Sequence, residues 1–183
     1  MKKILNFLKS SLKANTFIKV PFLLLLIVVA ILFKSNYKIF KVDGESMGDT
    51  FGDGDVVLVS KQFYNYALPE RGDVVVCVEG NEILIKRIIG VPGDTIEIIE
   101  GFIIINDNLY EDEFGDYRIA VRLVDGDGEF LKDWVSGEPV YEYVSEPQIY
   151  LRSTEYWVIG DNRTISWYGR IDENDIIGKV YDL

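Results

Sequence analysis

The sequence predicts a mostly β protein in which a single apolar N-terminal helix precedes a β-rich domain. Three observations predict it. Val20 to Phe33 is a run of 14 residues without a charged or hydrogen-bonding side chain. From Val42 onward, short segments rich in Val, Ile, Tyr and Phe alternate with Gly, Asp and Asn, the punctuation of strands and turns. The net charge of −11 is also divided sharply. Residues 1–42 hold eight lysines and no acid (+8), whereas residues 43–183 hold 11 Lys and Arg against all 30 acids (−19).

Residues 1–16 are basic and predict a cytoplasmic N-terminus, within which 2–13 have the pattern of a short amphipathic helix lying on a membrane. The apolar run is shorter than the roughly 20 residues that cross a bilayer. Phe17 and Ile18 extend it, however, and Lys19 and Lys34 can snorkel to the headgroups. A single-pass transmembrane anchor over 17–36 is therefore expected. A cleaved secretory leader and a buried core helix are the competing readings, but Lys34-Ser35-Asn36-Tyr37 offers no small-x-small site and an uninterrupted apolar run flanked by lysines is unusual for a core helix. Five lysines before the run favour a cytoplasmic N-terminus, while three just after it act against that orientation.

Residues 37–183 then form an extracytoplasmic domain large enough for a real core. Strands are expected at Val56–Ser60, Val74–Val78, Ile83–Ile89, Thr95–Ile99, Phe102–Ile105, Arg118–Val124, Tyr156–Ile159 and Ile176–Tyr181. Glu100-Gly101 reads as a hairpin turn, and Asn106-Asp107-Asn108 ends its second strand. Residues 109–150 are acidic and aromatic with less regular alternation, and predict an insertion or a secondary sheet. Arg71-Gly72-Asp73 reads as the turn entering a strand rather than an adhesion signal.

Composition excludes several kinds of chemistry. The acidic domain would repel phosphates, so no nucleic-acid partner is expected. The chain has no histidine, which removes Ser-His-Asp and Cys-His catalysis and His-ligated metals. Cys77 is the one cysteine, so neither an intrachain disulfide nor a cysteine metal cluster can form. Within Val74–Val78 it reads as a small buried hydrophobe. No cofactor and no metal are expected.

Ile83-Leu84-Ile85-Lys86-Arg87-Ile88-Ile89 is apolar on both sides of the alternation, the pattern of a strand buried on both faces. Two cations there need a partner or a purpose. Arg87, permanently charged, is expected to pair with a carboxylate. Lys86 has two readings: a snorkelling or ion-paired lysine, or a desolvated amine able to act as a base. Ser46, in Asp43-Gly44-Glu45-Ser46-Met47-Gly48, sits between glycines that allow a tight backbone. Ser166 follows the turn cluster Gly160-Asp161-Asn162-Arg163. Either serine, taken alone, reads first as a loop or turn residue.

Together these segments resemble the signal peptidase I family in its short, single-anchor form. Asp43-Gly44-Glu45-Ser46-Met47 is similar to the nucleophile box, and Arg71-Gly72-Asp73-Val74-Val75-Val76 to the strand box after it. Leu84-Ile85-Lys86-Arg87-Ile88-Ile89-Gly90-Val91-Pro92-Gly93-Asp94 is similar to the box carrying the catalytic lysine. Val158-Ile159-Gly160-Asp161-Asn162-Arg163, with Ser166 and Arg170, resembles the last box. Four boxes occur in order, and only 109–150 lies outside the resemblance.

The resemblance implies a signal peptidase/repressor-protease-like β fold and a serine endopeptidase in the plasma membrane of a prokaryote. Its partners would be the signal peptides of preproteins and membrane lipid. Ser46 would be the nucleophile and Lys86 the general base, with Ser166 orienting the lysine. Asp161 and Arg170 would support the site, and the Ser46 N–H would meet the oxyanion. Met47, Phe51, Leu84 and Ile85 match positions that line the substrate pockets. Departures from the family pattern include Asp49 where proline is usual and Phe51 where leucine is usual. Tyr168-Gly169 precedes Arg170 where the family has an acid and a serine, so Asp161 or Asp172 is expected to partner Arg170. The alternatives are a non-catalytic or weakened relative that assists surface-polymer (pilus) assembly and a self-cleaving repressor-type Ser-Lys protease. The anchor argues against the latter. The missing histidine argues against the eukaryotic reticulum form.

Overall fold

The computed structural model describes residues 20–48, 50–112, 114, 118–122, 136 and 139–182. The chain divides into two compact units, 1–38 and 39–183. In the first, a helix covers the described residues 20–36, and its large apolar side chains from Val20 to Phe33 are exposed. Phe33 stacks on Tyr37 at 4.8 Å between ring centres. Among the described residues, no helix is long and apolar enough to cross a membrane. The expected amphipathic helix over 2–13 and the first three residues of the expected anchor lie outside the described residues.

The second unit is built of β-strands. One sheet of seven runs in the order β1 (Tyr37–Lys41), β2 (Val56–Ser60), β13 (Ile176–Tyr181), β3 (Val74–Glu79), β4 (Glu82–Gly90), β11 (Glu155–Ile159) and β12 (Tyr168–Asp172). A second has four, in the order β10 (Glu146–Tyr150), β5 (Thr95–Ile99), β6 (Phe102–Ile105) and β7 (Asn108–Leu109). A small third sheet pairs β8 (Ala120–Arg122) with β9 (Tyr141–Tyr143). The mostly β expectation therefore holds, and 109–150 contributes strands to the second and third sheets. Of the strand expected at Arg118–Val124, the described residues show Ala120–Arg122.

Strands β1, β7, β9, β10 and β12 were not expected. Their side chains lack alternation that separates a buried from an exposed face: β9 is exposed throughout and β10 almost so. They are held by edge pairing instead, β10 on β5 and β12 on β11.

Turn chemistry sets the second sheet. Glu100 and Gly101 both take positive φ, 49° and 83°, the backbone of a type I′ turn, and Ile99 pairs with Phe102 across it. Gly101 is needed twice over, since a Cβ there would stand 2.7 Å from Ile119 O. Asn106 and Asp107 repeat the conformation at 51° and 64°, returning the chain from β6 to β7.

Burial corrects the expectation for β4. Its first residues, Glu82 and Ile83, are exposed, and only Lys86 to Gly90 are wholly buried. The reason is pairing: β11 joins β4 only at Arg87, Ile88 and Gly90, so the first half of β4 is covered by β3 alone. Cys77 is buried, as its apolar neighbours imply. Arg71 pairs with Asp94 at 2.8 Å and Asp73 with Lys179 at 2.6 Å. Both charges of the Arg-Gly-Asp turn are thus engaged within the fold.

Candidate active site

The loop between β1 and β2 is closed at its base by two backbone hydrogen bonds, Val42 N–H to Asp55 O and Gly54 N–H to Val42 O. Gly44 enters it at a φ of +91°, and the Asp53 carboxylate accepts the Gly44 N–H at 2.9 Å. Ser46 then starts a tight turn in which Met47 O accepts the N–H groups of Thr50 and Phe51. Met47 and Phe51 are buried against Val57, Val59, Val76 and Val180. Two apolar side chains therefore pin a loop that presents a hydroxyl.

Strand β4 brings Lys86 to that hydroxyl, with Nζ donating to Ser46 Oγ at 2.8 Å. Lys86 is 3% exposed. Burial lowers its pKa from the ordinary 10.5, while Cys77 and Asp161 act in the opposite direction. The Cys77 thiol, pushed up to about 12 by its own burial, is neutral at physiological pH. That leaves Asp161 as the opposing charge. It also makes Cys77 a poor nucleophile, since the thiolate is the reactive form.

The neighbouring Arg87 finds the carboxylate it was expected to need. Its Nε donates to Asp161 Oδ1 at 2.8 Å and NH2 to Oδ2 at 2.7 Å, with both side chains buried. This bidentate pair is geometrically specific. Arg87 also donates to Thr50 Oγ1 and to Gly72 O, and Thr50 in turn donates to Asp161. Arg87 and Asp161 thus tie the Ser46 loop to the turn after β11.

That turn touches Ser46 directly. Asn162 N–H donates to Ser46 O at 3.1 Å. A Cβ on Gly160 would lie 2.1 Å from Ser46 O and 2.4 Å from Ser166 Oγ, so only glycine fits between them. Ser166 Oγ accepts the Gly160 N–H at 2.7 Å and donates to Trp167 O at 2.8 Å. It makes no hydrogen bond to Lys86 among the described residues, so its contact with the pair runs through Gly160.

Two further expectations are corrected. Arg170 is partnered neither by Asp161 nor by Asp172. It lies half exposed, 3.6 Å from Glu155, on β12 opposite Trp157. Asp161 is held by Arg87 and Asp172 by Thr154. A groove at the site is lined by Ser46, Lys86, Met47, Leu84, Ile85, Asp43 and their neighbours. Phe51 is not among its walls, because its ring fills the core behind the loop. Asp49 lies outside the described residues.

Thr50 and Gly160 have roles that sequence reasoning missed. A threonine four residues after a serine carries no signal of its own, and a glycine in a turn cluster is read as a turn. Arg163 was likewise unassigned; it is buried, donates to Gly160 O at 2.9 Å and pairs with Asp112 at 2.6 Å.

A serine hydroxyl against a buried lysine amine, in a chain without histidine, is a constellation for peptide hydrolysis. The family model described as "Signal peptidase, peptidase S26" matches residues 14–181. The chain belongs to that peptidase family. It is 32% identical to signal peptidase IB of Staphylococcus aureus over 148 residues, covering 77% of this chain and 74% of that one. It is also 32% identical to signal peptidase I V of Bacillus subtilis over 165 residues, covering 85% and 91%. The crystal structure of a signal peptidase I from Enterococcus faecalis superposes at a TM-score of 0.40 and 20% identity, over 62% of this chain and 97% of that one. Membership of the S26 family makes the chain a hydrolase of the serine peptidase kind.

Proposed function

We propose that this S26 peptidase is a membrane-bound endopeptidase that removes signal peptides from exported preproteins, with Ser46 as nucleophile and Lys86 as general base. The single observation that carries the roles is the 2.8 Å contact between Nζ of the buried Lys86 and Ser46 Oγ. Desolvation favours the neutral amine. In that form Nζ accepts the Ser46 hydroxyl proton as Oγ bonds to the scissile carbonyl carbon. The Ser46 N–H, which meets no acceptor among the described residues, is available to the oxyanion. The resulting ammonium returns its proton to the leaving amine, and an ester to Ser46 remains. A water molecule, giving its proton to Lys86, then releases the acyl group and restores the hydroxyl.

The groove walls suit a signal peptide. Met47, Leu84 and Ile85 are apolar, so uncharged residues before the scissile bond are the natural occupants. The exposed apolar side chains of the helix at 20–36 suit a single-pass anchor over 17–36, and the five lysines before the apolar run favour a cytoplasmic N-terminus with the β-domain outside. Both curated relatives are bacterial, in keeping with the plasma membrane of a prokaryote. The test is cleavage of a preprotein with alanine before the scissile bond by the detergent-solubilised chain. Wild type should cut it and Ser46→Ala should not. Equal cutting by both would remove Ser46 from the mechanism.

A further inference from the structure

The segment that follows β7 lies outside the family boxes, yet two of its residues turn onto the network behind the Ser46–Lys86 pair. Tyr110 N–H donates to Ile103 O at 2.8 Å, seating the start of the segment on β6. Beyond it, Asp112 Oδ2 stands 2.6 Å from Arg163 NH2, with side chains only 7% and 1% exposed. The other Asp112 oxygen accepts the Phe114 N–H at 3.1 Å, which links the two residues. The Phe114 ring faces the Arg87 guanidinium, 3.5 Å from its central carbon to the ring centre. Each buried arginine of the site is thus met by one residue of this segment.

We infer that Asp112 and Phe114 are positioning residues for the Ser46–Lys86 pair, acting through Arg163 and Arg87. The inference rests on the Ser46–Lys86 reading above. Two guanidiniums, Arg87 and Arg163, share this interior with two carboxylates, Asp161 and Asp112. Asp161 is wholly buried and already holds Arg87 with both oxygens. With Asp112 uncharged, Arg163 stays charged, and Asp161 is the other carboxylate whose field it feels. Drawing Asp161 toward Arg163 weakens its hold on Arg87 and Thr50. It also disturbs Gly160 O, which Arg163 fixes, and Gly160 abuts the Ser46 carbonyl. Phe114 acts on the other arginine. Its π face is a partner for a cation already bonded to the Ser46 loop at Thr50. Losing the ring frees Arg87 to shift, and the nucleophile loop with it.

The test compares wild type with Asp112→Asn, Asp112→Glu, Phe114→Leu and Phe114→Tyr as full-length chains in detergent. The readouts are kcat and KM on a preprotein, the melting temperature, and the rate at which Ser46 adds to a short peptide aldehyde ending in alanine. Asp112→Asn and Phe114→Leu should lower kcat and the aldehyde rate roughly ten- to a hundredfold, the scale of a small misplacement of reacting groups. KM should stay within about twofold, since neither residue lines the groove. The conservative changes Asp112→Glu and Phe114→Tyr, which keep the carboxylate and the ring, should recover most of the loss. Unchanged kcat in both Asp112→Asn and Phe114→Leu, or losses confined to KM, would overturn the inference. So would losses that merely follow the folded fraction. If Asp112→Asn does not fold, Phe114→Leu, which keeps every charge, decides alone. A wild type that leaves the preprotein uncut but adds to the aldehyde faults the substrate reading only, and the variants' aldehyde rates still decide this one.

Discussion

Replacing Gly160 by alanine asks how tightly Ser46, the proposed nucleophile, is held from behind. The new Cβ would stand 2.1 Å from Ser46 O, where real Cβ contacts do not fall below 3.0 Å. Closing that difference requires the Ser46 backbone and the Gly160 turn to separate by about 0.9 Å, a shift on the scale of 1 Å that costs catalysis roughly 10²-fold. The obstacle is contact rather than conformation, because Gly160 is not among the glycines with positive φ. Retreat of Ser46 also lengthens the Asn162 N–H bond to its carbonyl and the 2.8 Å contact of Oγ with Lys86. Overpacking of this kind destabilises a fold by about 1–3 kcal/mol, equivalent to a fall of roughly 2–12 °C in melting temperature for a chain of this size. Gly160→Ala should therefore melt a few degrees lower, remain folded at assay temperature, and cut a preprotein about a hundredfold more slowly. Cleavage within threefold of wild type would mean that the Gly160 turn does not fix Ser46, and the positioning account would fail.

Lys86→Met should abolish cleavage while leaving the fold at least as stable at neutral pH. The sign follows from the lowered pKa. Between the folded and unfolded values the unfolded chain binds more protons, so this lysine's contribution to stability rises with pH. Its penalty is complete below the folded value and gone above the unfolded one of about 10.4. The stability gained by methionine should thus shrink on approach to that pH, and a gain that grows with pH would contradict the assignment. Wild-type activity should climb with pH through one ionisation below 10.5; a pH-independent rate would argue against an amine base. Asp161→Asn strips the buried Arg87 of its bidentate partner and should cost about 3–5 kcal/mol, read by denaturant unfolding; a loss under about 1 kcal/mol would show that Thr50 and Gly72 suffice. Protease added to intact spheroplasts should digest the acidic domain and spare a short N-terminal fragment, whereas full protection of the chain would refute the proposed orientation.

Much of the second unit was legible because strand burial writes itself into side-chain type. Val56–Ser60, Thr95–Ile99, Phe102–Ile105 and Ile176–Tyr181 were read at their observed bounds, each being an apolar segment closed by turn residues. The Glu100-Gly101 turn was legible for the same local reason, since few residues tolerate positive φ. Strands β9, β10 and β12 were not, because edge strands are selected by pairing with a neighbour, and exposed side chains such as Tyr141 and Tyr143 record little of it. The site divides along the same line. Lysine and arginine in an apolar strand advertise a buried charge, but not which carboxylate answers it.

The sequence by itself determined the class of the fold, the family, and, through its lack of histidine, the catalytic chemistries that are excluded. Residue type settles those matters, because hydrophobic pattern, turn residues and the presence or absence of a titratable group are properties of the chain. Only the tertiary structure decided the partners. Lys86 and Ser46 lie 40 residues apart and Arg87 and Asp161 lie 74 apart, yet each pair meets within hydrogen-bond distance. The structure took Asp161 from Arg170 and gave it to Arg87, moved Phe51 from the groove to the core, and set Gly160 between Ser46 and Ser166. Close packing is the physical reason: which atoms touch depends on where separate strands are brought together, and a linear pattern carries that information only as burial, never as address.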